Sequence, residues 1–530
     1  MNMKAQRSTL LLVAALIVLV LALTGCDRGS GGAGASGADA ARGEFPLDTD
    51  VTLRYWKDLN WNTASNFANY GDTPFAQAWQ EATGVNVEFI HGAADDAFTL
   101  LFVAGDLPDI IQFWWTAYPG EHLGALTDEV VVPLNDLWDY APLYRDWLDR
   151  HPDIARAVVL PGGYYFGFPS VIGDGSEINI SQGAIIRQDL LDELGLDIPE
   201  TIDEWTYALL AIRDSGLAEI PLTIGWRDTT FIRAFGMSRE WFVYDGEVRF
   251  GMFEPQFRQY LETMHLWFSE GLIDRDFVTV DQTATRARMF DGTAAATVDW
   301  WSGVAAMAQN GPENIEGFNA WPAPLPMLTH NDRYNQFSDA GNPHTPALVY
   351  TVVTSHSRHP EIAARFMDFL WGEEGITMAN FGIEGVTFNF DSDGRRVYTD
   401  YVLNHPQGWG TQEVRGAYML SFAAGPYVQL AEVATATFTF PQQFAAREVW
   451  SRDATLEHVL PPVQRTQEQS AEFSNIMTAV NTYADENNIA FILGTRSLEE
   501  FDIYLENLRS MGIERAIEIQ NEALEAFNAR

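Results

Sequence analysis

Tryptophans that stand next to charged residues are the side chains in this sequence with the clearest binding chemistry. A sugar ring presents an apolar face that stacks on an indole, and its hydroxyl groups need charged or amide side chains around that ring. These combinations fall at or just beyond predicted strand ends, where open α/β sheets bind ligands. They are Trp56 with Trp61, Phe113-Trp114-Trp115 with Tyr118, Trp226 with Arg227 and Asp228, and Asp299-Trp300-Trp301. Core packing is the alternative for each of them, and it fits Phe113-Trp114 best.

Catalytic and metal chemistry has weaker support in the sequence. There is no Gly-x-Ser-x-Gly turn, and Cys26 is the only cysteine. His356 and His359 lie three residues apart but lack the His-Glu-x-x-His pattern, and Pro360 follows at once. Paired carboxylates for glycoside hydrolysis stay open as an alternative, because 73 acidic residues make chance pairs abundant. We predict no catalytic residue, no metal site and no cofactor.

The N-terminus indicates a lipid-anchored secreted protein. Lys4 and Arg7 precede an apolar run from Leu10 to Leu23, and Leu23-Thr24-Gly25-Cys26 resembles a bacterial lipobox. The alternative, a transmembrane helix, is disfavoured because the run is short for a bilayer span and Asp27 follows Cys26 directly. We predict a signal peptide over 1–25, an acylated (palmitate-carrying) Cys26 and a flexible tether over 26–47. The protein is then extracytoplasmic, on the periplasmic face or the cell surface.

The charge balance excludes one class of partner. The chain carries 73 acidic and 32 basic residues, a formal net charge of −41, and its only lysines are Lys4 and Lys57. A chain this acidic repels phosphate backbones, so we predict no nucleic-acid binding. The acidic residues are spread along the chain, which is typical of a solvated acidic surface. Adaptation to a salty or alkaline medium and a GC-rich genome that favours arginine both explain this composition.

The elements that position these residues follow an alternating pattern. Strands predicted near 51–56, 85–89 and 109–113 alternate with helices that begin at Thr73-Pro74 and Asp95. This order predicts a parallel, doubly wound sheet. A second α/β region follows, with a strand at Ala184-Ile185-Ile186 and a capping-box spacing at Thr201-Ile202-Asp203-Glu204. The stretch 321–326 holds three prolines and predicts a connector.

Several short motifs, taken in order, resemble one family. They are Gly105-Asp106-Leu107-Pro108-Asp109-Ile110, Ile185 to Leu196, Pro199 to Trp205, Glu270-Gly271-Leu272-Ile273-Asp274, Glu373-Glu374-Gly375, Phe381 to Val386 and Phe491 to Ile513. From Cys26 nearly to Arg530 the chain is similar to the extracellular solute-binding lipoproteins of ABC importers, family 1. Within that family it resembles the LplA-like oligosaccharide-binding branch.

The resemblance implies an α/β, two-lobed periplasmic-binding-protein-like (type II) fold. Each lobe is expected to be an α/β sandwich, and a hinge of crossing segments joins the two. We place the crossings near Phe168-Pro169-Ser170, in the Pro-rich stretch before Thr345, and near Gly382. Lobe 1 then comprises 48–169 with about 341–382, and lobe 2 comprises 170–340 with about 383–530.

The resemblance also implies a function: capture of a sugar or oligosaccharide in the cleft and delivery to the permease of an ABC importer, by a monomer that is not an enzyme. Two alternatives stay open, a binding protein for a non-sugar solute such as a peptide and an extracytoplasmic glycoside hydrolase. The predicted ligand contacts are Trp56, Asp58, Trp61, Trp115, Trp226, Arg227, Asp299, Trp300, Trp301 and Glu384.

One segment departs from the branch. Its members often carry a calcium loop before a Glu-Ile-Pro sequence, but in this chain that segment is only 213–221 and holds few carboxylates. An oxygen cage for calcium needs six to eight ligands. We therefore predict no calcium at this place.

Overall fold

The structure is a computed structural model that describes residues 37–92, 96–172, 180–330, 346–420, 425–452 and 454–530. The predicted signal peptide, Cys26 and the first part of the tether lie outside the described residues. Within the described chain, no helix combines the length and apolarity that a membrane crossing requires. Two sheets, each covered by helices, form the two lobes of a mixed α/β fold.

Short strands alternate with helices along most of the described chain. The strands are β1 (Thr52–Lys57), β2 (Asn86–Ile90), β3 (Ile110–Trp114), β4 (Val159–Leu160), β5 (Tyr164–Tyr165), β6 (Phe168–Ile172), β7 (Gln182–Arg187), β8 (Ile220–Thr223), β9 (Trp241–Tyr244), β10 (Glu247–Phe250), β11 (Ala294–Trp300), β12 (Ala320–Pro322), β13 (Pro346–Val353), β14 (Phe388–Phe390), β15 (Arg396–Tyr398) and β16 (Val428–Gln429). The helices are α1 (Gly37–Ala40), α2 (Trp61–Ala64), α3 (Pro74–Thr83), α4 (Ala97–Ala104), α5 (Glu121–Thr127), α6 (Pro142–Arg150), α7 (Pro152–Val158), α8 (Gln188–Leu194), α9 (Ile202–Ser215), α10 (Phe257–Ser269), α11 (Gln282–Phe290), α12 (Trp301–Asn314), α13 (Pro360–Asp368), α14 (Glu373–Phe381), α15 (Asp400–Leu403), α16 (Thr411–Tyr418), α17 (Ala431–Ala436), α18 (Pro441–Ser451), α19 (Gln467–Leu493), α20 (Phe501–Ser510) and α21 (Ile513–Asn528).

Local signals in the sequence set several of these boundaries. The Thr73 hydroxyl accepts a hydrogen bond from the Ala76 N–H at 3.1 Å, and Gly84, at φ 72°, ends α3 in the left-handed region. The predicted capping box at the start of α9 is confirmed, because Thr201 and Glu204 each accept a hydrogen bond from the other's backbone N–H. The predicted helix at Pro360 is confirmed as α13.

The first sheet has the strand order β16-β6-β13-β3-β1-β2. Strand β1 runs parallel to β2 and β3, β13 runs antiparallel to β3 and β6, and β16 runs parallel to β6. The carboxyl ends of five strands and the amino end of β13 therefore share one edge. Behind this sheet the Trp79 indole stacks on Phe366 with ring centroids 4.0 Å apart.

The second sheet has the strand order β12-β7-β11-β8. Strand β11 pairs parallel with β8, and β7 runs antiparallel to both β11 and β12. The carboxyl ends of β8, β11 and β12 thus lie at one edge, beside the amino end of β7. Buried residues of helices α9, α10, α19, α20 and α21 form the main core of this lobe.

The chain passes between the sheets at three places along its described length: from β6 to β7, from β12 to β13, and from β16 to α18. All three passages leave the edge described for each sheet. Much of the first two, 173–179 and 331–345, lies outside the described residues. The edges that carry the carboxyl ends of the strands are therefore the ones through which the two lobes are joined.

The third passage differs from the expected position near Gly382. The expected boundary places Val428–Gln429 in lobe 2, whereas this strand pairs with β6 of the first sheet. Asn380 explains the return of the chain, because its amide donates to Val428 O at 2.8 Å and its oxygen accepts from Leu430 N at 2.9 Å. After that point Trp450 is buried against the second sheet and donates to Ala323 O at 3.0 Å.

Candidate functional site

A polar cavity of about 550 Å³ lies beyond the carboxyl end of β8. The loop after β8 forms one side, the amino end of the β9–β10 hairpin forms a second, and helix α19 forms a third. Its lining residues are Arg227, Thr229, Ser238, Arg239, Glu240, Trp241, Asn481 and Asp485. The wall formed by the loop after β8 follows the carboxyl end of a strand, and open α/β sheets bind ligands beyond such strand ends.

Asp485 of helix α19 forms ion pairs with two arginines in this cavity. Its carboxylate lies 2.6 Å from Arg239 Nη2 and 3.6 Å from Arg227 Nη2. The Arg239 side chain is 8% exposed, the Asp485 side chain is 25% exposed and the Arg227 side chain is 71% exposed, so the first pair is partly enclosed and the second faces solvent. Both guanidinium groups also lie on the Trp226 ring, 4.6 Å (Arg227) and 5.0 Å (Arg239) from its centroid. Trp226 is therefore already stacked within the protein.

Asp228 lies beside this cavity at the turn of the loop. Its carboxylate accepts a hydrogen bond from the Thr230 N–H at 3.0 Å. Burial raises the pKa of Asp228 to about 6, and the Thr230 hydrogen bond and the Arg233 charge oppose that rise. The hydrogen bond to Asp228 thus holds the loop that carries Arg227 in place, and ionisation of this carboxyl group costs free energy.

A second predicted residue, Asp299, is the penultimate residue of β11 in the same sheet and is fully buried. Its carboxylate accepts hydrogen bonds from Arg286 Nε at 2.6 Å, Arg286 Nη2 at 2.7 Å, Gln282 Nε2 at 2.9 Å and its neighbour's backbone N–H, Trp300 N, at 2.7 Å. Four donors satisfy both oxygens. This geometry suits a residue that fixes the turn into α12.

The turn that Asp299 fixes exposes one tryptophan and partly covers the next. The Trp300 side chain is among the exposed large apolar groups at 41%, while Trp301 packs edge-to-face on Phe438 with centroids 5.2 Å apart. Trp300 therefore offers an indole surface at the edge where the chain passes between the lobes.

On the first sheet, the structure exposes Trp114 and buries Trp115. Strand β3 ends at Trp114, which is 41% exposed, and a 3₁₀ turn over Trp115–Ala117 then directs the Trp115 ring inward, against Phe98 and Phe166. Trp56 is also buried, 2% exposed, beside Phe98 and Phe113. Core packing thus accounts for Trp56 and Trp115.

The remaining predicted contacts of the first lobe are less enclosed. Asp58 is exposed just after β1, and Glu384 is exposed in the turn between α14 and β14. Trp61 begins helix α2, but its side chain lies outside the described residues. Helix α2 packs on α16, where Thr63 Oγ1 donates to Gly416 O at 3.0 Å.

Lys57 is a buried cation at the same edge of the first sheet. Its ammonium lies 3.6 Å from the centroid of the Tyr70 ring, and its backbone oxygen lies 2.9 Å from His91 Nδ1. Burial lowers the pKa of Lys57 to about 7, and the neighbouring Asp58 charge acts in the opposite direction. A desolvated amine therefore stands behind Asp58.

Within the described residues, no group of three histidine, cysteine or acidic side chains is arranged to hold a metal ion. In the segment that takes the place of the calcium loop, Gly216 ends α9 at φ 72° and β8 begins four residues later. The expected absence of calcium stays a prediction.

Comparison with known proteins identifies the family. Residues 64–376, more than half of the chain, match the family described as bacterial extracellular solute-binding protein. The chain belongs to this family. As a bacterial extracellular solute-binding protein it has the two-lobed fold that the resemblance implied, and that prediction is confirmed.

Individual relatives of this solute-binding protein are distant. It is 24% identical to the fructooligosaccharide ABC transporter substrate-binding protein FusA of Streptococcus pneumoniae serotype 4, over 92% of each chain. The solved structure of FusA with kestose covers 90% of this chain and all of that chain, at 20% identity and TM-score 0.72. The alginate-binding protein AlgQ2 without calcium covers 90% of this chain and 98% of that chain, at 23% identity and TM-score 0.71.

Several cavity residues are not evident from the sequence. Asn481 and Asp485 join Arg227 only through the fold, since Asp485 lies 258 positions after Arg227 in the chain, and Arg239 joins it through the turn before β9. Trp241 carries the one available signal, because it stands beside the charged pair Arg239-Glu240 in the same manner as the tryptophans predicted to bind ligand.

Proposed function

We propose that this protein captures a sugar or oligosaccharide outside the cytoplasm for an ABC importer, and that it is a receptor without enzymatic activity. The observation that carries the proposal is the polar cavity beyond β8, where Arg227, Glu240 and Asn481 present hydrogen-bonding groups next to aromatic rings. Sugar hydroxyls need such groups and sugar faces need such rings. The name of the relative FusA, a substrate-binding protein for fructooligosaccharides, supports the same ligand class.

The proposed contacts differ in what they supply. Arg227 and Asn481 line the cavity and donate hydrogen bonds to hydroxyl groups, and the exposed Trp300 ring stacks on a sugar face. Asp58, Trp61 and Glu384 are proposed to contact the ligand from the first lobe, and Trp226 and Trp301 from the second. We place the buried predicted residues behind the contact surface, where they hold it in position: Trp56, Trp115 and Asp299.

In the proposed mechanism the ligand enters between the lobes and the lobes close over it. We assign 48–169 with about 341–382 to lobe 1 and 170–340 with the C-terminal helices to lobe 2. The segment from about 383 to Gln429, which we expected in lobe 2, goes with lobe 1, because Val428–Gln429 pairs with β6 and α16 packs on α2. The closed, loaded monomer then docks on the transmembrane permease subunits.

We further propose that Cys26 is acylated after removal of residues 1–25, and that 26–47 tethers the protein to the membrane. The tether raises the effective concentration of the receptor at its permease. Mass spectrometry of the protein from the membrane fraction tests the acylation of Cys26. In a separate fractionation experiment, Cys26→Ser would release the protein into the soluble fraction.

The ligand class is tested by titrating the purified protein with a panel of oligosaccharides that includes kestose, followed by tryptophan fluorescence and calorimetry. We expect saturable binding of at least one glycan, with no new reducing ends after prolonged incubation. Release of reducing ends would favour the hydrolase alternative. Binding of a peptide with no response to any glycan would contradict the carbohydrate assignment.

A further inference from the structure

The charged residues that line the cavity beyond β8 cancel in formal charge. Arg227 and Arg239 supply two positive charges, and Glu240 and Asp485 supply two negative charges. The cavity therefore has arginines of the kind that bind sugar acids, together with an equal number of carboxylates that oppose such ligands.

The charge of Arg239 is compensated within the protein. Its guanidinium is 8% exposed, lies 2.6 Å from Asp485 Oδ1 and covers the Trp226 ring. A ligand anion that approached Arg239 would compete with the Asp485 carboxylate, which is already in contact. Separating this close ion pair and placing a second anion beside the partly buried Asp485 carboxylate, 25% exposed, opposes that exchange.

Arg227 is the more accessible cation of the two. Its side chain is 71% exposed, and the second oxygen of Asp485 lies 3.6 Å from its Nη2 atom. An anion at Arg227 would come near both Asp485 and the exposed Glu240, on a protein whose formal net charge is −41. Solvent also weakens the attraction of an exposed guanidinium. Uncharged hydroxyl groups are not repelled by these carboxylates, and their binding does not depend on ionic attraction to Arg227.

We propose that Asp485 is a specificity-determining residue that restricts this cavity to uncharged oligosaccharides and excludes uronate, sulfated or sialylated glycans. The proposal rests on the proposed function, because it takes the cavity as part of the glycan site. It selects between two ligand classes found among structural neighbours, one bound to kestose and one named for alginate.

The test compares the full chain with Asp485→Asn on a glycan array that carries neutral and anionic oligosaccharides of matched length. We expect the unaltered protein to retain neutral glycans only. Asp485→Asn removes the carboxylate that contacts both arginines and leaves the cavity with two positive charges and one negative charge. We therefore expect its affinity for anionic glycans to rise about tenfold or more and to fall again at high salt. Retention of an anionic glycan by the unaltered protein would overturn the proposal.

Glu486→Gln is the matched control, because it removes one negative charge at the next position of α19, on an exposed residue that does not line the cavity. An equal gain in Asp485→Asn and Glu486→Gln would overturn the proposal in favour of a global charge effect.

The double variant Arg227→Gln with Asp485→Asn is expected to lose the gained anionic binding. Circular dichroism and melting verify the fold of each variant. If the array retains nothing while a peptide binds, the proposed function fails instead.

Discussion

The ammonium group of Lys57 lies 3.6 Å from the centroid of the Tyr70 ring, inside the protein. Contact with an aromatic face stabilises a cation, and burial destabilises it. Burial has the larger effect at this position, because it lowers the pKa of Lys57 from 10.5 to about 7. The folded state therefore carries a charge at this position only at a cost in free energy.

Lys57→Met is expected to stabilise the protein near neutral and mildly acidic pH. The unfolded chain keeps this proton up to about pH 10.5 and the folded chain releases it near pH 7, so between these values the unfolded state binds more protons. The stability of the unaltered protein should rise with pH across that window. The gain from Lys57→Met should be largest below pH 7, on the order of a few kcal/mol, since one pKa unit is worth about 1.4 kcal/mol.

Urea denaturation at pH 6 and pH 9.5 measures this effect. Arg54→Met is the control, because Arg54 lies on the same strand with a side chain 40% exposed. A stability difference between Lys57→Met and the unaltered protein that does not shrink as pH rises would contradict the argument.

Asp299→Asn is expected to destabilise the protein by about 2–4 kcal/mol, because it removes the charge partner of Arg286 from a fully buried position. Glu262→Gln, which breaks the exposed ion pair with Arg258, should cost less than about 0.5 kcal/mol. Chemical denaturation compares the two variants. Equal costs would mean that the Asp299 pair contributes no more than a surface pair.

Gly183→Ala is expected to destabilise the second lobe by roughly 1–3 kcal/mol, the usual cost of overpacking. A Cβ atom on Gly183 would lie 2.5 Å from the Trp450 ring, and that ring joins α18 to the second sheet. Gly410→Ala adds the same methyl group where the nearest contact is 3.8 Å away, so its melting temperature should change little. Equal melting temperatures of the two variants would mean that the Trp450 ring can move to make room for the added methyl group, and would contradict the expected overpacking.

Trp300→Ala is expected to weaken binding of a glycan ligand by about 1–2 kcal/mol and to leave the melting temperature nearly unchanged, because the ring is exposed and stacks in the proposed mechanism. Tyr207→Ala removes another exposed ring, 64% accessible, from a helix away from the cavity beyond β8. Calorimetry should find its affinity unaltered. A loss of affinity in Tyr207→Ala as large as in Trp300→Ala would point to an indirect effect.

Local signals in the sequence predicted many of the helices and strands, but they do not show which distant residues line the cavity. Caps such as Thr73 and Thr201 act through hydrogen bonds within one turn, so the sequence reveals them directly. The exposure of Trp114 and burial of Trp115 depend on a single 3₁₀ turn, and one residue of difference inverts which ring faces solvent. Asp485 reaches Arg239 from 246 residues away, and no spacing rule connects positions that meet through tertiary packing alone.

The burial of Lys57 has a practical consequence for single-molecule work. Beyond residue 26 the sequence holds no cysteine and no lysine except Lys57, whose side chain is enclosed. Maleimide and succinimidyl dyes therefore find almost no background target on the folded domain. Cysteines introduced at one exposed position on each lobe would carry a donor and acceptor pair selectively, and energy transfer between them would report lobe closure in real time.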